Sequence, residues 1–314
     1  TREWHSYSID CLKEDSGRAL NLLGDSICNM SFNAGEFESL REEVNAEHES
    51  NHTRYQETTL ENAHFNSYRD HMLGQPVKGD RDNLYNIGLD QLQAYHAANY
   101  FGDNIVVVAT GDVNHAQIVE QVEQNFSSLP KTTDVQPKNT ERAVYTPSIL
   151  MIRDDEMINS NVGVFYDAPS VKDEDYYSFR LLQNMFGSYR IDQNAEHLND
   201  VHKQYNSMHA LLGNLPDVTR ADSFYFAYSD SGIFGNYFFG NEVFTRQMNY
   251  CGVCLPTIYS HYLNEVEVIR GRNFMYNQLM TNENAASLNK EIGVQYLIQG
   301  RRVTRTEVAQ RGAG

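Results

Sequence analysis

Positive charge is what this sequence has least of. Lys and Arg number 25 against 42 Asp and Glu, which leaves the 314-residue chain with a formal charge of −17 at pH 7. Repulsion from phosphates excludes nucleic acid as a partner, and the surplus of acid favours a cationic partner or substrate. Cysteine is scarce as well. Cys11, Cys28, Cys251 and Cys254 make no disulfide framework. No apolar run approaches the roughly 20 residues that cross a bilayer as a helix. The longest, residues 105–109, reads as a buried strand, so membrane association is expected to run through partner proteins. What the chain does have is aromatic bulk, 20 Tyr and 15 Phe, enough for large buried surfaces.

Its length leaves room for about two domains. Residues 4–12 alternate as a half-buried strand. Asp15 or Ser16 can cap a helix to about Cys28, with Ala19, Leu20, Leu22, Leu23 and Ile27 inward. A long polar helix follows over about 36–72, its apolar stripe made by Phe37, Leu40 and Val44. Asp90 can cap a helix at 91–100, and Asn114 one that ends near Phe126. Residues 127–147 are poor in apolar side chains and contain Pro130, Pro137 and Pro147, the natural boundary. Beyond it, strands are expected at 149–153 and 162–167, helices at 174–186 and 195–205, two strands joined at Ser231-Gly232, a helix at 242–249, and long helices to the end. The order strand, helix, gap, long Glu/Arg-rich helix occurs near 3–72 and again near 222–282, the mark of an internal duplication. The expected fold class is α+β: two related domains, each a mixed sheet covered by helices, with domain 1–130, linker 131–147 and domain 148–314. Because the chain opens in mid-strand, the first domain is expected to lack its N-terminal side.

His48-Glu49-Ser50-Asn51-His52 matches H-E-x-x-H, in which two His on one helix face hold zinc and the Glu activates water. Its surroundings are polar on both sides and no third ligand follows at the usual distance, so it reads as a solvated helix face. Glu47 extends the stripe of Leu40 and Val44 by position, where an acid is either a metal ligand or released to water. Cys251-Gly252-Val253-Cys254 lacks the second pair of a zinc ribbon and reads as structural thiols. The loop Lys172-Asp173-Glu174-Asp175 reads as turn and helix-start chemistry.

Several segments together carry a family resemblance. Thr1-Arg2-Glu3 and the strand after it resemble the strand that follows the zinc motif of the mitochondrial processing peptidase family, the inverted-zinc-motif M16 metallopeptidases. Phe37 to Glu47 resembles the helix bearing their third zinc ligand. Leu73-Gly74-Gln75-Pro76-Val77-Lys78-Gly79 resembles their LGRTILG segment. Met185 to Arg190 resembles the G-x-W-D-R turn, and Tyr228-Ser229-Asp230-Ser231-Gly232-Ile233-Phe234-Gly235 the β-type Y-x-D-[ST]-G-L-W-G. The resemblance implies that Glu47 stands at the distal zinc-ligand position and Tyr228 on the substrate side. No catalytic residue is carried over, because H-x-x-E-H occurs nowhere in these residues. The implied function is that of a β-type, matrix-side core subunit of the cytochrome bc1 complex, part of respiratory electron transport. The alternative is an active zinc endopeptidase that removes presequences. No cofactor is implied for the chain as it stands; zinc is implied if an H-x-x-E-H segment lies upstream. The partners implied are an α-type subunit, other bc1 subunits and basic presequences, at the matrix side of the mitochondrial inner membrane.

Overall fold

A computed structural model describes residues 1–51, 54–133, 141–155, 157–191, 206–213, 215, 218–280 and 284–311. The chain divides into two compact units. One gathers Thr1–Ser50, Val77–Thr140 and Asn282–Val303; the other gathers Asn51–Pro76, Glu141–Thr281 and Thr304–Gly314. The units therefore do not follow chain order. The stretch 51–76, expected in the first domain, belongs with the second unit, and 282–303 belongs with the first.

The helices in chain order are α1 (Ser16–Cys28), α2 (Ala34–Asn51), α3 (Tyr55–Tyr68), α4 (Arg81–Leu84), α5 (Leu89–Asn99) and α6 (His115–Asn125). Then come β1 (Asn159–Ala168), α7 (Tyr176–Phe186), β2 (Ser188–Arg190), α8 (Ser207–Leu212), β3 (Val218–Ala227) and β4 (Gly232–Asn241). The series ends with α9 (Thr245–His261), α10 (Glu265–Met280), α11 (Ala285–Gln299) and α12 (Arg305–Arg311). The helix expected at 195–205 lies outside the described residues.

In the first unit α1 buries Leu20, Gly24 and Ile27 and packs on α6, whose Asn114 cap accepts from the Gln117 amide. Leu22, expected inward, is exposed: the face that meets α6 is narrower than the apolar stripe. Among the described residues this unit has no strand ladder. Residues 4–12 and 105–109 join no ladder, and neither does 149–153 in the second unit. Alternation marks which face of a strand is apolar; it does not supply a neighbour for the backbone groups.

The second unit holds the sheet, four strands in the order β1-β4-β3-β2. Every pairing is antiparallel, so the expected mixed sheet gives way to an antiparallel one within the same α+β class. Only β3 and β4 form a direct hairpin; β1 reaches β4, and β2 reaches β3, through long intervening segments. β4 does not alternate. Phe234 and Phe238 point to one face, Ile233 and Tyr237 to the other, and all four are buried, as in strands covered on both sides. The larger core joins Phe234, Phe238, Val162 and Val218 to Met185 and Phe186 of α7, Met208 and Leu212 of α8, and Met248, Leu255 and Tyr259 of α9. On the opposite face Ile233 and Tyr228 meet Tyr68, Leu73 and Ala143. This second layer is why 51–76 belongs here.

α9 continues past the point where sequence reading ends it, and it carries Pro256 in its interior. Proline has no amide hydrogen to give the carbonyl four residues back, and that carbonyl, Gly252, accepts instead from the Tyr166 hydroxyl at 3.2 Å. Gly252 is itself required, since a Cβ there would lie 2.6 Å from Val164 Cγ2. At the other end of the core, Gly187 closes α7 with φ of 68°, a conformation open to glycine, and turns the chain directly into β2.

Candidate functional site

The carboxylate read as a metal ligand sits on α2, in the first unit. Arg41 pairs with Glu38 one turn earlier at 2.8 Å and lies over the Phe37 ring, local contacts that favour the helix. Further along, three neighbouring residues hold the segment that follows Pro76. Glu47 Oε1 is 2.7 Å from Lys78 Nζ, Glu49 Oε1 is 2.7 Å from Arg81, and the His48 ring is 3.2 Å from the Lys78 carbonyl. Asn45 accepts from Arg81 Nε at 2.9 Å.

Of the two readings of Glu47, metal ligand or acid released to water, the geometry favours the second. Its side chain is 54% exposed, and Leu40, on the same stripe, is 56% exposed. Helical spacing places Leu40, Val44 and Glu47 on one side of α2 but cannot say whether that side is covered. With a lysine in reach and water around it, the carboxylate escapes the cost of burial. Zinc needs three or four converging ligands. Glu47 offers one, against an ammonium, and the described residues contain no group of three His, Cys, Asp or Glu able to hold a metal. The described residues around Glu47 do not by themselves fit zinc. His52 lies outside the described residues.

Tyr228 follows β3 in the hairpin to β4, in the second unit, and is 8% exposed. Its hydroxyl lies 2.7 Å from His64 Nε2. His64 Nδ1 lies 2.7 Å from the Leu60 carbonyl, which can only accept, so Nδ1 carries the proton and Nε2 accepts from Tyr228. The Phe226 ring meets the imidazole edge to face at 4.9 Å. Beside it the Tyr68 hydroxyl and Ser231 Oγ are 2.9 Å apart, and burial pushes the Tyr68 phenol well above its ordinary range. The residue read as substrate-facing thus has its hydroxyl engaged inside a packed polar cluster that joins α3 to the β3–β4 hairpin. Sequence reading passed over His64. The available signal was spacing alone, since His64 and Tyr68 are four apart on one helix face. Tyr228→Phe is expected to remove this buried hydrogen bond and to cost about 1–3 kcal/mol. Urea unfolding followed through the tyrosine near-UV signal checks this; an unchanged midpoint would refute the lock.

Next to the hairpin, within the same unit, opens a cavity of about 650 Å³ lined by Asp167, Asp173, Glu174, Asp175 and Asp230 together with Arg142. The Asp173 carboxylate accepts from the Ser170 amide at 2.7 Å, and this bond holds its carboxyl below the usual range. That contribution to stability is present above the ordinary carboxylate pKa and fades as pH falls through the depressed one. Asp173 therefore does the turn chemistry read from the sequence. Asp230 accepts from the Ala143 amide at 2.9 Å. The remaining carboxylates make the cavity attractive to cations. Among the described residues its lining contains no histidine.

Comparison with known proteins gives consistent results. Residues 1–81 match the family described as Insulinase (Peptidase family M16) and residues 86–249 match Peptidase M16 inactive domain. The chain is 26% identical to the mitochondrial-processing peptidase subunit beta of Dictyostelium discoideum, over 99% of this chain and 66% of that protein. It is 23% identical to the cytochrome b-c1 complex subunit 1 of Bos taurus, over 98% and 63%. It thus spans somewhat less than two thirds of these relatives. A chain of complex III2 from Candida albicans with Inz-5 bound superposes with a TM-score of 0.84 at 16% identity, over 97% of this chain and 72% of that one; the fold is shared.

Proposed function

Because the chain belongs to peptidase family M16, we propose that it serves as a β-type core subunit of a mitochondrial cytochrome bc1 complex, on the matrix side of the inner membrane, without peptidase action of its own. The observation that carries this reading is Glu47. In an active relative this carboxylate would be one of the zinc ligands; here it is paired with Lys78 at 2.7 Å. Binding zinc would require breaking that pair. The fold shared with a chain of complex III supports a place in such an assembly, where an α-type subunit and other bc1 subunits are the proposed partners. No described helix is long and apolar enough to cross a membrane, so attachment would run through those partners.

The second reading, a zinc endopeptidase for basic presequences, draws support from the processing-peptidase relatives and from the acidity of the chain. It requires an H-x-x-E-H segment in the complete protein. Affinity isolation of the complete protein from its own mitochondria separates the two. Co-migration with b- and c-type haem absorbance in native electrophoresis is expected. A haem-free heterodimer that cleaves a presequence peptide and loses activity to a chelator would establish the second reading and end the first.

A further inference from the structure

The thiols of Cys251-Gly252-Val253-Cys254 lie in the middle of α9, unlinked. Residues three apart in an α-helix have Cα atoms roughly 5 Å apart, inside the span a disulfide bridges. The two thiols differ in access. Cys251 is 7% exposed and belongs to the main core. Cys254 is half-buried, next to Val253, which is exposed. One turn before it, Tyr250 is 70% exposed and its phenol feels the nearby Cys254 sulfur, so that sulfur lies at the rim of the helix. Burial pushes the Cys251 thiol up, and the nearby Cys254 sulfur adds to this.

The helix also lacks one of its own hydrogen bonds at this turn. Pro256 gives none to the Gly252 carbonyl, which lies between the two cysteines and accepts from Tyr166. A bridge from 251 to 254 distorts the turn it spans, and here that turn has one fewer helical hydrogen bond to lose.

We propose that Cys251 and Cys254 are a redox-active dithiol that closes to an intrahelical disulfide by exchange with a small-molecule disulfide such as oxidised glutathione. The Cys254 thiolate attacks one sulfur of the oxidant, forming a mixed disulfide and expelling one glutathione thiolate. Cys251 then attacks the Cys254 sulfur, forming the internal bond and expelling the second. The two protons lost by the cysteines go to the two leaving thiolates, and two electrons pass from the pair to the oxidant. Cys254 goes first because it is the accessible sulfur, and Cys251 resolves. A bridge formed within a helix is strained, and strained disulfides are the readily reduced ones, so the device is reversible.

The test treats the purified chain with oxidised glutathione, alkylates the remaining thiols and maps the peptides by mass. The expected product has Cys251 and Cys254 joined, with both losing alkylation together and both regaining it after dithiothreitol. In Cys251→Ala the expected product is a glutathione adduct that stays on Cys254. Cys254→Ser, which leaves the core intact, should keep Cys251 free of adduct. Wild-type protein that retains glutathione on Cys254, or leaves both thiols alkylated while exposed Cys11 is modified, would overturn the proposal.

Discussion

Phe238→Ala is expected to cost about 3–5 kcal/mol, the range for emptying the space of a fully buried phenyl ring. Phe238 has no exposed surface. It stands on β4, which pairs with β1 on one side and β3 on the other, so the backbone around the site is fixed by two ladders and cannot collapse into the void. The ring also supports α9: a Cβ on Gly252 would come within 3.2 Å of Phe238 Cε2, which shows how closely the helix backbone sits on it. Since domains have only about 5–15 kcal/mol of net stability, the loss is a large share. The check is the denaturant midpoint of the tyrosine near-UV transition, which is weighted toward this unit because 15 of the 20 Tyr lie in it. A loss below about 1 kcal/mol would mean that the site collapses after all. Tyr237, its neighbour, faces the other way and is the control. Its hydroxyl meets Asn161 Oδ1 at 2.6 Å and burial pushes its phenol up to about 12, so Tyr237→Phe removes one hydrogen bond and leaves the core filled.

The hairpin at Ser231-Gly232 and helices α1, α6 and α7 were legible in the sequence because caps, periodicity and turn residues are local signals. The single helix expected over 36–72 is two, α2 and α3, which belong to different units; periodicity has no term for which core a helical turn will join. α9 runs past Gly252 and Pro256 because Tyr166, far off in sequence, supplies the missing donor. The candidate site divides the same way. Family resemblance put Glu47 and Tyr228 on the page, but their partners, Lys78 and His64, are set by tertiary placement. An acid next to an apolar stripe looks the same in sequence whether it points to a metal, a lysine or water.

The second large effect is expected at Asp222. The resemblance marks Met185 to Arg190 as a turn of the family without giving a reason for its arginine, and β2 supplies one. Arg190 reaches Asp222 Oδ1 at 2.8 Å and also donates to the Tyr189 and Ala221 carbonyls at 2.8 and 3.1 Å. Arg220 takes the other carboxylate oxygen at 2.8 Å. One carboxylate thus pairs with two guanidinium groups where the three-residue strand β2 joins the sheet. Removing one partner of a buried pair costs about 3–5 kcal/mol, mostly because the charge left behind is desolvated. Here the Arg190 and Asp222 side chains keep 28% and 13% exposure, so Asp222→Ala is expected to cost about 2–3 kcal/mol after allowance for screening. Arg220, 40% exposed, adds little. The decisive measurement is a double-mutant cycle with Arg190→Met. If the desolvated guanidinium causes the loss, the double variant recovers part of the stability that Asp222→Ala forfeits. Losses that simply add would show that Asp222 acts through packing, and that the arginine of the turn is held by its carbonyl contacts alone.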